Sequence, residues 1–221
     1  AFSVSELDLN LQPLYQSGNL LANGSFEQPG GRASQDWLSS VSLPGWSYSN
    51  TGNLLYESSG ADGIPAGDGG YYISYGHNGA TGGVLSQVVS GISAGELFAL
   101  QFSLSEQQDW NQGIQKVRAK VEQDGRILYD STISLEDSQW RDYASPLLTS
   151  VGGDARVSFE DVSPAGLYEN WGLDAVSLNK FVTHQVEFTY KLYEADGITL
   201  AGDGLSVASW GSGHDKSRQY V

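Results

Sequence analysis

Two acidic residues, far apart in the chain, each lie beside an apolar strand pattern. Glu27 ends the segment 19–27, and Asp174 lies inside the segment 170–178. If these segments form neighbouring strands, the two carboxylates meet, and carboxylates that are forced together need a cation to stay ionised. Hard cations such as calcium take oxygen ligands of this kind. The pattern predicts a calcium ion that ties the first strand of a domain to its last.

Simpler roles are open for both residues: Glu27 fits the cap of a turn, and Asp174 fits an ion pair with an arginine. Three further acids, in loops rich in glycine and amides, are additional candidate calcium ligands: Asp62, Asp68 and Asp109. The first two are each followed by glycine, and Asp-Gly is also a good turn sequence. Turn and metal-binding roles therefore both remain open at these positions.

Aromatic rings and amides occur together in two polar segments, 107–112 and 168–171. A flat ring packs against the apolar C–H face of a sugar, and an amide hydrogen-bonds its hydroxyls. Loops of this composition carry function more often than strands do. We predict ligand contacts from five residues of these segments, with Asp109 as a metal contact at the ligand: Trp110, Asn111, Tyr168, Asn170 and Trp171.

Short strands separated by turn residues must position these groups. Residues 97–104 and 115–123 alternate apolar and polar side chains, which is the period of a half-buried strand. Asp124-Gly125 predicts a tight hairpin after the second of them. No stretch combines helical periodicity with capping signals. The pattern predicts an all-β, antiparallel β-sandwich or jelly roll, with four aromatic residues in its core: Trp46, Phe98, Phe102 and Phe159.

The sequence divides into three parts. Residues 1–18 are weakly patterned and predict a leading linker or strand. Residues 19–180 predict the ligand-binding sandwich. Residues 181–221 begin with a new alternating pattern, which indicates extra strands or the start of a following module, and they end in a loose tail. We expect other domains of a longer parent chain.

Charge and composition narrow the partners. The 221 residues include 26 Asp and Glu against 11 Lys and Arg, a net charge of −15. This argues against nucleic acid, because phosphate binding needs clustered basic residues. No run of 18 apolar residues occurs, so we expect no membrane insertion. The chain contains no Cys and no Met, and with its many glycines and small polar residues it is typical of a secreted or cell-surface bacterial protein.

The order of motifs between 19 and 180 resembles the galactose-binding-like β-sandwich carbohydrate-binding modules of secreted bacterial proteins. The resemblance covers about three quarters of the chain and implies that Glu27 and Asp174 share a structural calcium. Ala175 stands where such modules often carry a second polar residue. The motifs that carry the resemblance are 23–27, 43–46, 56–57, 68–69, 85–87, 124–125, Trp140, Tyr143 and 173–178.

The resemblance implies a calcium-dependent, lectin-like module of a secreted or surface-anchored adhesin that binds extracellular glycan. Large adhesins also use calcium-dependent sandwiches to grip peptides, so a module that binds a peptide or protein terminus is the alternative. A polysaccharide-degrading enzyme is the third hypothesis.

Catalytic motifs are sparse. The sequence has no His-Glu-x-x-His segment, and a Gly-x-Ser-x-Gly spacing at 91–95 is followed by a strand pattern and not by the helix that a nucleophile elbow requires. The three histidines, at 77, 184 and 214, lack metal-ligand spacing. A glycosidase needs only two carboxylates, and Tyr75 with His77 hints at a lyase base, so enzyme chemistry stays an alternative. We expect a protein that binds its ligand without transforming it.

Overall fold

The computed structural model describes residues 3–9, 15–31, 35–49, 54–61, 65–76, 81–107, 114–135, 138–166, 170–182, 185–193 and 200–209. Contacts between Cα atoms divide the chain into two compact units. The larger unit is Gly18–Lys180, and the other combines Ala1–Ser17 with Phe181–Val221.

The smaller unit is a three-stranded antiparallel sheet of order β1-β15-β16. Its strands are β1 (Ser3–Leu9), β15 (Gln185–Tyr193) and β16 (Leu200–Ser209). Leu9 of β1 pairs with Phe188 of β15. The segments before and after the sandwich, which the sequence analysis describes as separate parts, therefore contribute strands to one sheet.

The larger unit contains two sheets and one short 3-10 helix at Leu38–Ser40. In the eight-stranded sheet, six strands follow in the order β11-β8-β14-β6-β5-β3, β12 pairs with β8, and β2 pairs with β14. Those strands are β2 (Tyr15–Asn19), β3 (Gln35–Trp37), β5 (Leu55–Ser58), β6 (Tyr71–Tyr75), β8 (Leu97–Gln107), β11 (Arg141–Ala144), β12 (Leu148–Thr149) and β14 (Asn170–Val182). The first residues of β2 and the last two of β14 fall outside the bounds of the larger unit.

The second sheet of this unit has five strands in the order β10-β9-β13-β7-β4. They are β4 (Ser47–Ser49), β7 (Val84–Ile92), β9 (Gln115–Gln123), β10 (Arg126–Leu135) and β13 (Gly153–Asp161). No helix in the described part of the chain is long and apolar enough to cross a membrane.

The two sheets pack face to face through the side chains that alternation predicts. Phe102 of β8 meets Phe159 of β13 edge-on, with ring centroids 5.0 Å apart. Phe98 and Trp46 are buried in the same core cluster. The all-β antiparallel sandwich is thus confirmed, and Phe98, Phe102 and Phe159 lie in its core because a period of two sends every second side chain into the space between the sheets. Trp46, which lies outside these strands, is buried as well.

The predicted hairpin at 124–125 is also confirmed. Asp124 and Gly125 connect β9 to β10 with φ angles of 47° and 72°. Positive φ at both central residues gives a turn whose twist matches the flanking strands. Glycine adopts this conformation without steric cost, and aspartate tolerates it.

The opening segment of the larger unit runs directly beside its closing strand. Leu20 N–H donates to the carbonyl of Leu178, and Val176 N–H donates to the carbonyl of Gly24, both at 2.9 Å. A Cβ at Gly24 would lie 1.9 Å from the carbonyl oxygen of Val176. This position therefore has room only for glycine.

We expect Gly24→Ala to lower the free energy of unfolding by about 3 kcal/mol, because the added methyl group must separate two hydrogen-bonded backbones. Denaturant unfolding measures the loss. Gly18→Ala is the matched control, since a Cβ at Gly18 would meet nothing within 4 Å. Equal stability of the two variants would contradict the close approach seen at Gly24.

Candidate functional site

Two amide side chains fix the opening segment against both sheets. Asn19 donates from Nδ2 to the carbonyl of Val176 and accepts at Oδ1 from the N–H of Leu178, both at 2.9 Å. Gln87 on β7 accepts from the N–H of Ala22 at 2.7 Å and donates to its carbonyl at 2.9 Å. These bonds set the path of the chain that leads to Glu27.

Glu27 holds a loop that precedes β6. Its Oε1 accepts the N–H of Gly70 at 2.8 Å and the N–H of Tyr71 at 3.1 Å. A Cβ at Gly69, where φ is +63°, would lie 2.3 Å from the same oxygen. The preceding residue Phe26 is fully buried, and its carbonyl accepts the Tyr56 hydroxyl at 2.8 Å. Glu27 is therefore directed at this loop by its buried neighbour.

Asp174 reaches the same loop from β14. Its Oδ2 accepts the N–H of Asp68 at 2.8 Å, and its Oδ1 accepts the N–H of Ala175 at 2.7 Å. Ala175 adopts a left-handed φ of 51°, which costs free energy and is seen where surrounding contacts enforce it. The side chain of Asp174 thus shapes the backbone of its own strand as well as the loop.

Burial raises the pKa of Asp174 to about 7. Loss of solvent is the largest cause. The backbone N–H groups of Asp68, Ala175 and Gly67 lower the pKa in part, and the charge of Asp68 raises it. Asp174 is fully buried, and within the described residues no lysine or arginine pairs with it. A buried carboxylate in this setting favours either a proton or a cation.

The two predicted clasp carboxylates therefore hold one loop, at Asp68 on one side and at Gly70 and Tyr71 on the other. Asp68 contacts Asp174 through its backbone N–H, and its role as a metal ligand stays a prediction. Asp62 and Asp109 lie outside the described residues. No group of three His, Cys, Asp or Glu side chains within the described part of the chain forms a metal cluster.

The donor chemistry fits a calcium ion held by Glu27 and Asp174. Calcium accepts carboxylates, backbone carbonyls and water in a flexible shell, so Glu27 and Asp174 are side chains of the type that would hold such an ion. The desolvated Asp174 is the observation that favours a cation here. Such an ion would supply positive charge to the buried carboxylate and would take no part in bond breaking.

Trp140 holds the same loop from a third direction. Its Nε1 donates to the carbonyl of Pro65 at 2.8 Å, and its ring lies edge-on to Tyr72 at 5.7 Å. A Cβ at Gly67 would lie 2.9 Å from the indole, and one at Gly172 would lie 2.8 Å from it. The sequence analysis includes Trp140 only among the motifs of the resemblance. The two glycines that admit its ring are far apart in sequence, so no local signal predicts their contact.

A cleft of about 320 Å³ opens on the larger sheet. Residues 101–103 of β8, 142–144 of β11, and Ala175 and Ser177 of β14 line it. Gln101 and Ser103 alternate with core residues of β8, so the cleft lies on the face of the sheet that points away from the core. Its volume is at the lower end of small-ligand sites.

Polar side chains line this cleft in a hydrogen-bonded arrangement. The Ser103 hydroxyl donates to Oδ1 of Asp142 at 2.6 Å. Asn179, farther along β14, donates from Nδ2 to Gln101 at 3.2 Å and to the Ser177 hydroxyl at 2.9 Å. A row of hydroxyl, amide and carboxylate groups matches the donors and acceptors of a polyhydroxylated ligand.

The predicted ligand residues have different positions. Trp110, Asn111 and Tyr168 lie outside the described residues, so their role stays a prediction. Asn170 is half-buried at the start of β14. Trp171 is fully buried and stacks on Tyr75 with ring centroids 3.8 Å apart, so its ring presents no surface to a ligand in this structure.

Some cleft residues carry a local signal in the sequence. Gln101 and Ser103 fall on the polar side of a clean alternating strand. An alternating strand predicts which side chains face away from the core, but it does not predict which neighbouring strand lies beside them. The partners Asp142 and Ser177 come from β11 and β14, and only the sheet order brings them together.

Comparison with known proteins reveals a shared fold. The structure is similar to a carbohydrate-binding module of family 61 in complex with β-1,4-galactotriose, with a TM-score of 0.53, 17% sequence identity, and coverage of 73% of this chain and 98% of that chain. It is also similar to a Stig cyclase from Fischerella sp. TAU, with a TM-score of 0.56, 12% identity, and coverage of 76% and 98%.

A second cyclase from Fischerella sp. TAU has a TM-score of 0.54 at 14% identity and covers 72% of this chain and 95% of its own. No protein-family model matches the sequence, and no curated protein matches it significantly. At the level of fold, the resemblance predicted from the motifs is confirmed: the β-sandwich of this chain is similar to that of a carbohydrate-binding module.

Proposed function

We propose that the sandwich is a non-catalytic, calcium-stabilised module that binds extracellular glycan, and that it belongs to a secreted or cell-surface bacterial adhesin. The observation that carries the proposal is the likeness to a galactotriose-bound module across 98% of that module's chain. The polar cleft on the larger sheet supports a glycan ligand. The acidic composition, the absence of cysteine and the sequence resemblance support an exported protein.

The cleft is the binding site that the described residues favour. It brings together Ser103, Asp142 and Ser177 from three strands of one rigid sheet, which holds polar groups at fixed distances. Rigid placement matters because a ligand then finds its hydrogen-bonding partners already ordered. The segments that contain Trp110 and Tyr168 remain a second proposed contact region.

Filling the cleft tests its role. We expect Ala144→Trp to weaken glycan binding by more than about tenfold, because the indole occupies space that the ligand needs. A glycan array followed by calorimetry on the best ligand, both with the full chain, measures the effect. Ser134→Trp, on the exposed face of the other sheet, should bind like the wild type.

Three results, from this experiment and from further binding and cleavage assays, contradict the proposal in different ways. Unchanged affinity in Ala144→Trp together with a loss in Trp110→Ala moves the site to the loop. An empty array with chelator-sensitive binding to peptides or cells favours the peptide-binding adhesin. Release of reducing ends from a polysaccharide establishes an enzyme, which the fold leaves open because two of its neighbours are cyclases.

Calcium is proposed to stabilise the fold through Glu27 and Asp174. A cation neutralises the desolvated Asp174, and it fixes the loop to which both carboxylates are bonded. Binding to the folded state alone raises the unfolding free energy by about 2.7 kcal/mol at a hundredfold excess over Kd. Calcium therefore raises the stability of the fold. It also helps to hold the cleft in place through Ala175, which lines the cleft and follows Asp174 in the chain.

We expect millimolar calcium to raise the melting temperature of the wild type by about 5 to 10 °C. Asp174→Ala should melt lower in calcium and should show no calcium response, since one of the two carboxylates is gone. Differential scanning calorimetry with and without a chelator measures both. Asp154→Ala, an exposed acid on β13, should keep the full response, and a calcium response retained in Asp174→Ala would exclude the clasp.

The pKa of Asp174 predicts a pH dependence in calcium-free buffer. The folded state keeps the proton up to about pH 7, whereas the unfolded chain releases it near the ordinary value of 3.8. The folded state therefore binds more protons between these values, and the contribution of Asp174 to stability is full below pH 4 and is lost as the pH rises to 7.

Urea unfolding of the wild type and of Asp174→Asn at several pH values isolates this contribution. The difference in unfolding free energy, wild type minus variant, should fall from pH 4 to pH 7 and then level off. Calcium should reduce the fall, because the cation stabilises the ionised carboxylate. A difference that does not change with pH would show that Asp174 titrates alike in both states.

A further inference from the structure

The cleft contains one charged side chain among its described lining residues. Residues 101–103, 142–144, Ala175 and Ser177 include a single acid, Asp142, and no lysine or arginine. The nearest basic residue in sequence, Arg141, pairs across the sheet with Leu104, so alternation places it on the opposite face of β11. No cation in the described lining offsets the charge of Asp142.

Asp142 is positioned to accept hydrogen bonds from a ligand. It pairs with Ser103 across the β11–β8 ladder, and the Ser103 hydroxyl bonds its Oδ1 at 2.6 Å. The Asp142 side chain is exposed, whereas Ser103 is only 6% exposed. A buried hydroxyl therefore fixes the orientation of an exposed carboxylate, which can only accept and never donate.

The charge of the whole chain acts in the same direction. A net charge of −15 produces a negative surface potential that repels anions as they approach. Neutral sugar hydroxyls suit this environment, because a hydroxyl can donate a hydrogen bond to the carboxylate. A uronate or sulfate group would instead bring a second negative charge close to Asp142, at an energetic cost that no basic residue of the described lining reduces.

We propose that Asp142 makes the cleft selective for uncharged glycans and excludes polysaccharides that carry uronate or sulfate groups. This inference rests on the proposed glycan-binding function. The carboxylate of Asp142 has two effects: it accepts hydrogen bonds from the hydroxyls of a neutral sugar, and it repels acidic sugars. Gln101 and Ser177 supply the uncharged polar contacts around it.

The test compares the wild-type chain of 221 residues with Asp142→Asn on an array that pairs neutral glycans with their uronate-containing or sulfated counterparts. The wild type should bind the neutral member of a pair. Asp142→Asn keeps the shape of the side chain and removes the charge, so the preference for the neutral member should shrink by about fivefold or more. Raising the salt concentration should also narrow the wild-type preference, because salt screens the repulsion.

Asp154→Asn is the matched control. It makes the same change in net charge on β13, in the other sheet, and should leave the preference unchanged. Wild-type binding to acidic glycans, or equal shifts in both variants, would overturn the role of Asp142 while the glycan-binding function stands. An array on which neither neutral nor acidic glycans bind would instead overturn the proposed function itself.

Discussion

The structure depends on one buried carboxylate and the loop that it holds. Asp174 is fully buried, and its oxygens bond the backbone N–H groups of Asp68 and Ala175. A carboxylate in such a place is costly unless its acceptor sites are filled and its charge is balanced. The N–H groups of the loop fill acceptor sites of the carboxylate, and a cation or a proton balances its charge. Glu27 and Trp140 hold the same loop from other sides, so its position is set by three distant parts of the chain.

This constraint also orders the cleft. Ala175 lines the cleft and directly follows Asp174, and its left-handed backbone is fixed by a hydrogen bond to that side chain. Trp140 lies one residue before β11, whose residues 142–144 form another wall. The cleft walls that come from β14 and β11 therefore adjoin, in sequence, Asp174 and Trp140, which hold the loop. The buried carboxylate and the cleft form one connected piece of structure.

Much of the fold was predictable because its signals are local. Alternation in 97–104 and 115–123 predicts the strands and the core face, and Asp124-Gly125 predicts its hairpin. The pairing of the opening and closing segments brings Glu27 and Asp174 to one loop, and their sharing of a cation stays a prediction. Trp171 shows the limit: amide and acidic neighbours suggest an exposed ring, yet Tyr75 on the adjacent strand stacks on it in the core. The stacking depends on sheet order, which neighbouring residues do not encode. The cleft was missed for the same reason, since its walls come from three strands that are separated in sequence.

The glycines around the loop point to a wider consequence. Gly67 and Gly172 lie where Trp140 leaves no room for a side chain, whereas Gln101, Ser177 and Asp142 project from the sheet on the face away from the core. The side chains on this outer face can therefore change without disturbing the packing, while the glycines are held fixed by sterics. A sandwich of this kind can change much of its outward-facing sequence while its shape persists.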